Sequence, residues 1–414
     1  METAHLLRKY NPAEWGGTET AVKQLVDGLA ELKVKSAIYA PTLPKAPETD
    51  PFAAAGHSIK RYRAFLPVAG LSPDARKQMI AVGGNIMSFE LFHRLLFHRK
   101  LEVIHSHALN RIGGIGLTVA KARKVPFLLT IHGGVLALPQ SVKDGFTKPL
   151  EKAFEWGKVF GPFIRSRKVL EEADAILTCN KLEAELLQKK YPDRRVIVHP
   201  HGVPVASYYQ DHRAAALNAF PQIQGHKLCL VVGRIDPVKN QGWVLEQAPS
   251  ILAKHPNALF MFVGAVTDEL YAKAIRKEIK RLGLEDKVLM PGGLPPGAPE
   301  LKGLIQSAKV LIVPSLSETF GLVILEAWAA NTPVISTKNS GAVDLIREGE
   351  NGCLFDLNDP ATFAQAVDKM LSHCAWAEQL ARNGHELALR DYDTLRLAER
   401  VKKLYAELIE LKHR

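Results

Sequence analysis

Short apolar runs of strand character alternate with amphipathic helical stretches along this chain, and the series occurs twice. The first series consists of Val34 to Ala40, Leu101 to His107, Pro126 to Ile131, Ala175 to Cys179 and Arg195 to His199. After Gln224 the second series consists of Lys227 to Arg234, Ala258 to Gly264, Lys287 to Met290, Val310 to Pro314 and Pro333 to Ser336. Such alternation predicts parallel sheets with crossover helices. We therefore expect an α/β chain with two doubly wound, Rossmann-like sheets in succession.

The length of the chain agrees with two domains. At 414 residues and 47% hydrophobic content, it exceeds what one core usually organises. We predict a first domain over residues 1–205, a linker over 206–225 and a second domain over 226–390, with a ligand cleft between the domains. After Asn358 the pattern is wholly helical, and apolar residues in 391–414 recur at helical spacing, which predicts one buried face.

Composition disfavours several classes of protein. The four cysteines have no C-x-x-C spacing, so neither a disulfide framework nor a zinc knuckle is indicated, and a cytoplasmic setting is expected. No segment approaches the roughly 20 apolar residues that span a bilayer. The net charge of +11 favours an anionic partner such as nucleotide phosphate or acidic lipid. Nucleic acid is disfavoured because no recognised nucleic-acid module accompanies the charge.

Ligands of doubly wound sheets bind outside the carboxyl ends of the strands, so residues that follow strands are the candidates. Gly16 and Gly17 follow a short candidate strand, Thr3 to Leu7, and open a helix with Thr18 as N-cap. Backbone N–H groups there could receive a phosphate. His132 directly follows another strand, where an imidazole could donate a hydrogen bond or shuttle a proton. A tight turn and a structural histidine are the simpler interpretations.

Two His-x-His pairs, His105/His107 and His199/His201, also end strands. Alternate residues share one face of a strand, so a metal site has to be considered. No third ligand lies at a recognisable spacing. We therefore predict no metal.

The second series opens with two cations placed for a diphosphate. Arg234 ends a strand, and Lys239 follows five residues later at the start of a new helix. A bidentate guanidinium and a point-charge ammonium can neutralise a leaving diphosphate without a metal. A solvated basic turn is the alternative, which the position after a strand disfavours.

The segment Glu318 to Glu326 places two carboxylates eight residues apart. A strand-like run, Lys309 to Pro314, precedes it, and the helical run Leu322 to Ala330 carries Glu326 in its first turns. The residues between the carboxylates are mostly apolar or small, and a buried unpaired carboxylate costs roughly several kcal/mol, so each carboxylate is expected to have a partner. Glu326 could accept both hydroxyls of a ribose, and the helix N-terminus faces the same mouth as Glu318.

In order and spacing these motifs resemble the family-4 class of retaining, nucleotide-sugar-dependent glycosyltransferases with the GT-B fold, also called glycosyl transferases group 1. The resemblance covers nearly the whole chain, in Gly16 to Glu19, Glu102 to His107, Thr130 to Gly133, His199 to Val203, Gly233 to Asn240, Phe262 to Gly264, Val313 to Ser315, Glu318 to Glu326, Gly341 to Ile346 and Asn351 to Gly352. It implies two Rossmann-like domains facing across a cleft, with a C-terminal helix that crosses back to the first domain. The chain departs from many relatives at His201 to Pro204, where they have Asn-Gly-Val-Asp.

The resemblance also implies roles for particular residues. Those implied to bind the donor are Gly16, Gly17, Arg234, Lys239, Phe320, Gly321, Leu322 and Glu326. Those implied to act in catalysis are Glu318 beside the transferred sugar, His132 on the reacting face, and Lys239 and Arg234 on the leaving diphosphate. No metal and no cofactor are implied, because the nucleotide-diphosphate sugar is itself a substrate.

The implied function is a hexosyltransferase-type reaction, in which a sugar passes with retention from a nucleotide-diphosphate sugar to an acceptor hydroxyl of a saccharide, glycolipid or small molecule. The alternatives are another GT-B enzyme, namely a sugar-nucleotide epimerase or phosphorylase, and a non-catalytic nucleotide-binding protein. The sequence does not identify the acceptor. Basic and aromatic residues in Asp74 to Lys100, with Arg165 to Lys168, could make a peripheral contact with the inner face of a membrane. A helix with one buried and one solvated basic face is the simpler interpretation.

Overall fold

The computed structural model describes residues 1–12, 15–43, 49–82, 85–136 and 154–414 of the chain. It divides into two compact units, one made of Met1–Pro200 with Leu395–Arg414 and the other of His201–Thr394. The stretch 206–225, predicted as a linker, is instead folded within the second unit, where it carries the helix Arg213–Ala219. Among the residues described, no helix is long and apolar enough to cross a membrane.

The first unit is built on a seven-stranded parallel sheet with the order β3-β2-β1-β4-β5-β6-β7. Its strands are β1 (Glu2–Leu6), β2 (Lys35–Pro41), β3 (Ser58–Tyr62), β4 (Val103–Ser106), β5 (Phe127–Ile131), β6 (Ala175–Thr178) and β7 (Val196–Val198). Its helices up to residue 200 are α1 (Gly17–Glu31), α2 (Pro51–Ala54), α3 (Pro73–Val82), α4 (Phe89–Leu96), α5 (Asn110–Arg123), α6 (Val169–Glu172) and α7 (Lys181–Lys190), with a 3-10 turn at Trp156–Phe160.

The second unit is built on a six-stranded parallel sheet with the order β10-β9-β8-β11-β12-β13. Its strands are β8 (Lys227–Val232), β9 (Ala258–Val263), β10 (Val288–Gly292), β11 (Val310–Val313), β12 (Val334–Thr337) and β13 (Cys353–Phe355). Its helices are α8 (Arg213–Ala219), α9 (Gln241–Lys254), α10 (Glu269–Arg281), α11 (Pro299–Ser307), α12 (Leu322–Ala329), α13 (Ser340–Leu345), α14 (Pro360–Ser372) and α15 (Cys374–Asp391), with 3-10 turns at Val205–Tyr208 and Pro221–Ile223. The predicted class, two doubly wound sheets, is confirmed.

The last helix, α16 (Thr394–His413), belongs to the first unit apart from its first residue. Its residues Val401 and Tyr405 are buried in one apolar cluster with Val103 of β4 and Leu128 of β5. Every residue of β4 and β5 is buried, as in parallel strands covered on both faces. The helical spacing of the apolar residues in 391–414 therefore marked a packed face, and the C-terminal helix completes the first domain as predicted.

The strands β3 and β13 were not predicted. β3 lies at the edge of its sheet and contains Lys60 and Arg61, so it has no apolar run to reveal it. β13 has only three residues. Both are edge strands, which are paired on one side only and carry a weaker hydrophobic signal than central strands.

Each sheet has one point at which the strand order reverses. In the first sheet it lies between β1 and β4, and in the second between β8 and β11. Connections leave towards opposite faces at such a point, which opens a crevice beyond the carboxyl ends of the two strands. The residues that follow these four strands are therefore the ones that the fold makes available to a ligand.

Candidate active site

At the reversal point of the second sheet, the structure brings a predicted cation and a predicted carboxylate into contact. Lys239 lies in the loop that follows β8, and Glu318 lies in the loop that follows β11. The Nζ atom of Lys239 is 2.6 Å from Oε2 of Glu318, and their side chains are 23% and 17% exposed. At this partly shielded position an ion pair is stronger than one at the surface.

The loop after β8 is organised by Asp236, which the sequence reasoning missed although it lies between the two predicted cations. Its buried carboxylate accepts hydrogen bonds from the backbone N–H of Lys239, at 3.1 Å, and from the Thr267 hydroxyl, at 3.3 Å. It also pairs with Arg234 at 3.1 Å, and the guanidinium side chain remains 49% exposed. Arg234 is therefore held at the loop but is open to a ligand.

The backbone comes unusually close behind this loop. A Cβ atom built on Gly264, the residue after β9, would lie 1.9 Å from the carbonyl oxygen of Gly233. No side chain fits there, so glycine at position 264 is a condition for the loop to take this course. The motif Phe262 to Gly264 thus supports the site sterically.

The loop that carries Glu318 is fixed by the start of α13. The Glu318 carbonyl accepts hydrogen bonds from the Gly341 N–H, at 2.8 Å, and from the Ser340 hydroxyl, at 2.9 Å.

The residues predicted to contact the donor through their backbone lie at the start of α12. Phe320 is buried, with its ring edge-on to His201 at 5.0 Å between centroids. Gly321 has φ +99° and is the N-cap of α12, a conformation that glycine adopts without strain. Leu322 begins the helix, as predicted.

Glu326 lies on α12, and its carboxylate has no hydrogen bond or ion pair with any residue the structure describes. Burial raises its pKa from 4.5 to about 7, and Lys302 acts in the opposite direction. A partly buried carboxylate without a protein partner is costly, and such groups are concentrated at functional sites. Two acceptor oxygens in this condition suit a ligand that carries a pair of hydroxyl groups.

At the reversal point of the first sheet lies a cavity of about 350 Å³. Residues that follow three strands line it: Arg8 and Lys9 after β1, His107 after β4, and His132 and Gly133 after β5. The remaining lining residues are Leu7, Thr18, Glu19, Leu109, Thr130, Ile131 and Val135. Of these residues the sequence predicted His132 but not Arg8 and Lys9, because the sequence marks the end of β1 only weakly.

His132 is tied to a neighbouring imidazole. Its Nε2 atom lies 2.8 Å from Nδ1 of His107. Burial lowers the pKa of His132 to about 4, and His199 adds to this. The ring is therefore neutral at pH 7, which suits hydrogen bonding to a ligand hydroxyl better than electrostatic attraction to an anion.

Three histidines of the first unit lie close enough together to hold a metal ion. One nitrogen each of His5, His105 and His107 lie within 4.8 Å of one another, and His5, on β1, is the third residue that the search by spacing missed. All six of their nitrogens are within hydrogen-bond distance of a partner, and those of His105 contact Tyr405 and Thr130 at 2.6 Å each. Hydrogen bonds among the side chains therefore account for this cluster without an ion.

The helix α1 begins at Gly17 with Gly16 as its N-cap, so the expectation of Thr18 at the N-cap is wrong. The Gly16 N–H donates to Oε2 of Glu19 at 3.2 Å. Glu19 is buried, and burial raises its pKa. A carboxylate of the chain itself therefore stands where a phosphate was predicted, and a phosphate held by Gly16 and Gly17 would have to move it aside.

Two family models match the chain: Glycosyltransferase Family 4 over residues 15–207 and Glycosyl transferases group 1 over residues 216–387. This chain belongs to the family-4-type glycosyltransferases with the GT-B fold. Among the family's curated members, it is 31% identical to the D-inositol 3-phosphate glycosyltransferase of Acidothermus cellulolyticus. The match extends over 304 residues, which make up 70% of this chain and 63% of that relative. The match thus spans less than two thirds of that relative's length. It is 26% identical over 378 residues to the enzyme of the same name from Streptomyces avermitilis, which is 89% of this chain and 78% of that relative.

Solved structures agree on the fold of this family member. Anabaena HepE in complex with UDP superposes with a TM-score of 0.73 at 15% identity, over 98% of this chain and 100% of that one. The sucrose-phosphate synthase of Thermosynechococcus elongatus superposes with a TM-score of 0.70 at 21% identity, over 99% of each chain. The predictions of GT-B architecture and of a glycosyltransferase family are therefore confirmed, while the assignment of roles to individual residues stays a prediction.

Proposed function

We propose that this protein transfers a sugar, with retention of anomeric configuration, from a nucleotide-diphosphate sugar to an acceptor hydroxyl, and that no divalent metal is required. The contact of Lys239 with Glu318 at the reversal point of the second sheet is the observation that carries this proposal. Without a ligand, Lys239 and Arg234 are each paired with a carboxylate of the protein. A donor diphosphate would take over both cations.

Each part of the donor has a group that suits it. The Glu326 carboxylate accepts hydrogen bonds from the two ribose hydroxyls, because it has no partner among the described residues. The N-terminus of α12, at Phe320, Gly321 and Leu322, offers backbone N–H groups to phosphate and sugar oxygens. Glu318, released from Lys239, lies beside the transferred sugar. Its carboxylate stabilises the positive charge that develops at the anomeric carbon of the sugar.

The reaction exchanges one C–O bond for another. The bond from the anomeric carbon to the diphosphate oxygen breaks, and its electron pair leaves with the diphosphate, which Arg234 and Lys239 neutralise. The acceptor oxygen then bonds to the anomeric carbon from the face that the diphosphate has left. The acceptor proton passes to a phosphate oxygen. Two fixed cations supply the charge that a divalent metal would otherwise contribute.

Thermal denaturation with a panel of nucleoside diphosphates and their sugars tests the donor site. A ligand at 100 times its Kd stabilises by about 2.7 kcal/mol. We expect UDP and UDP-sugars to raise the midpoint of the wild type, as HepE has been solved with both UDP and UDP-glucose. Lys239→Ala should respond less than Lys277→Ala, a change at an exposed residue of α10. No shift with any nucleotide would refute the proposal.

Turnover assays test the chemistry. Proton NMR of the first product formed should show the anomeric configuration of the donor, and an inverted product would refute retention. A chelator should leave the initial rate nearly unchanged. Activity that is lost in chelator and restored by one divalent ion would refute the metal-free reaction.

For the acceptor we propose a phosphorylated polyol, bound in the cavity of the first unit. Arg8 lines this cavity and has no hydrogen bond or ion pair in the part of the chain that the structure describes, and burial lowers its pKa. Lys9 adds a second cation at the same wall. Several relatives are named D-inositol 3-phosphate glycosyltransferase, which fits an anionic acceptor. Inositol phosphate should be a better acceptor than inositol for the wild type, and Arg8→Met should remove most of the difference.

We also propose that the first unit makes a peripheral contact with an anionic membrane. Phe89 and Phe97, at the two ends of α4, are 57% and 65% exposed, and Arg94 lies between them. Exposed aromatic rings among basic residues suit an interface with anionic lipid. The wild type should co-sediment with phosphatidylglycerol vesicles and not with phosphatidylcholine vesicles. The double variant Phe89→Ser, Phe97→Ser should co-sediment less with the phosphatidylglycerol vesicles.

A further inference from the structure

A chain of hydrogen-bonded imidazoles runs through the first sheet to the cavity. Thr3 Oγ1 lies 3.2 Å from His5 Nε2, His5 Nδ1 lies 3.0 Å from His107 Nε2, and His107 Nδ1 lies 2.8 Å from His132 Nε2. The same pair of ring atoms, Nδ1 to Nε2, makes both links between histidines. The chain therefore has a uniform direction from β1 to the end of β5.

Burial strongly disfavours a charged form of the first and last rings of this chain. His5 is completely buried, and burial lowers its pKa to about 3, while that of His132 is about 4. The rings of His5 and His107 are nearly parallel, with centroids 5.3 Å apart. His5 and His132 are therefore neutral at pH 7. With His107 also neutral, each link is a hydrogen bond between two imidazoles that each carry one N–H.

Neutrality couples the tautomers of the three rings. In each link one nitrogen must donate and the other must accept. If His5 carries its proton on Nδ1, it donates to His107, whose proton is then on Nδ1, and the same follows for His132. If the proton of His5 is on Nε2, all three rings are Nε2–H. Only these two arrangements satisfy both links.

At the far end of the chain, the Thr3 hydroxyl has a different hydrogen-bond partner in each of the two arrangements. Thr3 Oγ1 has a single proton, and it also lies 3.4 Å from the Lys35 carbonyl and 3.2 Å from Ser36 Oγ. When the hydroxyl donates to the carbonyl, it accepts from His5, and when it donates to His5, the chain reverses. The direction in which the Thr3 hydroxyl donates is thus coupled to which nitrogen of His132 can accept a proton.

We propose that His5 and His107 are positioning residues, which hold His132 in one orientation and transmit to it a tautomeric state set at Thr3. His5 does not line the cavity, whereas His107 and His132 do. An effect of His5 on the reaction would therefore act through His107 and His132. The kinetic part of this proposal rests on the proposed function, and the tautomer coupling does not.

A metal ion on the same histidines is the competing explanation, and it predicts different results. An ion bound to His5 and His107 would need lone pairs on nitrogens that the chain uses for its links. Elemental analysis of the purified protein should find no stoichiometric transition metal. About one metal ion per chain, lost together with a change in the histidine spectrum, would overturn the proposal.

Histidine-selective 15N labelling tests the coupling directly. Two-bond 1H–15N correlation spectra distinguish Nδ1–H from Nε2–H rings, and we expect His5, His107 and His132 to show the same tautomer. Thr3→Val, which removes the hydroxyl at nearly constant volume, should change the spectra of all three together. The matched control is Thr178→Val on β6, because the Thr178 hydroxyl is buried and has no hydrogen-bond partner in the described structure. Mixed tautomers, or a change that stops at His5, would overturn the proposal.

Kinetics test the positioning role. His5→Phe keeps a ring but breaks the chain, and we expect kcat to fall about ten-fold, equivalent to about 1.4 kcal/mol, with KM within two-fold. His5→Asn, whose amide can replace Nδ1 in the link to His107, should recover most of the loss. Thermal denaturation of both variants checks that they fold. Wild-type kcat in His5→Phe would overturn the positioning role. A wild type without transferase activity would refute the proposed function, and the spectra would still decide the coupling.

Discussion

Glu326 should destabilise the folded protein at neutral pH, and replacing it with glutamine should reverse this. Burial raises its pKa from 4.5 to about 7, so the folded state binds a proton more tightly than the unfolded chain does. The stability that this provides is complete below pH 4.5 and is lost as the pH rises through 7. At about 1.4 kcal/mol per pH unit, the rise corresponds to about 3 kcal/mol.

The variant Glu326→Gln has nearly the same shape and no charge at any of these pH values. It should match the wild type near pH 4.5 and exceed its stability by about 3 kcal/mol at pH 8. For a domain of 150–250 residues, this raises the unfolding midpoint by roughly 6–12 °C. Tryptophan fluorescence follows unfolding, and three of the five tryptophans, Trp243, Trp328 and Trp376, lie in the second unit.

Glu318→Gln is the matched control, because it removes a carboxylate of the same unit that has a partner. It leaves Lys239 without its ion pair, so it should gain nothing at pH 8. Chemical denaturation at several pH values measures both variants. The reasoning fails if Glu326→Gln shows the pH dependence of the wild type, or if Glu318→Gln is stabilised to the same extent.

Three further predictions concern the second unit. Because the donor is expected to bind the ionised form of Glu326, its affinity for the wild type should fall about ten-fold from pH 8 to pH 6 and stay nearly constant in Glu326→Gln, as titration calorimetry would show. Lys239→Ala should lower kcat far more than it raises KM, since the charge on the leaving group is greatest in the transition state. Equal effects of Lys239→Ala and Lys277→Ala on kcat would contradict this. Gly264→Ala should lower the free energy of unfolding by more than about 2 kcal/mol, because the new Cβ would lie 1.9 Å from a carbonyl oxygen. The control Gly133→Ala, in the first unit, has open space at Cβ and should leave the free energy of unfolding nearly unchanged in chemical denaturation.

The fold could be predicted because its central strands are buried on both faces. Such strands are continuous apolar runs. The ten predicted runs and the candidate strand Thr3 to Leu7 all correspond to strands of the structure within about two residues at each end, and they include the edge strands β7 and β10. The edge strands β3 and β13 lack that signal. The predicted linker failed for a related reason, because α8 is short and its single buried residue, Ala216, creates no visible period.

Parts of the site could be predicted because position after a strand is readable in the sequence. Lys239 and Glu318 were both found in this way, although their contact was not foreseen. Asp236 was missed because nothing in the sequence distinguishes a loop carboxylate that organises the backbone from a solvated one. His5 was missed because it meets His107 across about 100 residues, and only the pairing of β1 with β4 brings them together.

The first domain is assembled from two separated pieces of the chain, and this imposes an order on folding during synthesis. Residues 201–394 form a continuous unit and can fold as soon as they leave the ribosome. The face of the first sheet at Val103 and Leu128 has no cover from α16 until residues 395–414 have been made. During that interval, nearly half the time needed to make the chain, an apolar surface next to finished β-strands is open to other molecules. A chaperone that recognises nascent chains would find its binding site there, and a ribosome that stalls before α16 has been made would leave the first unit unfinished.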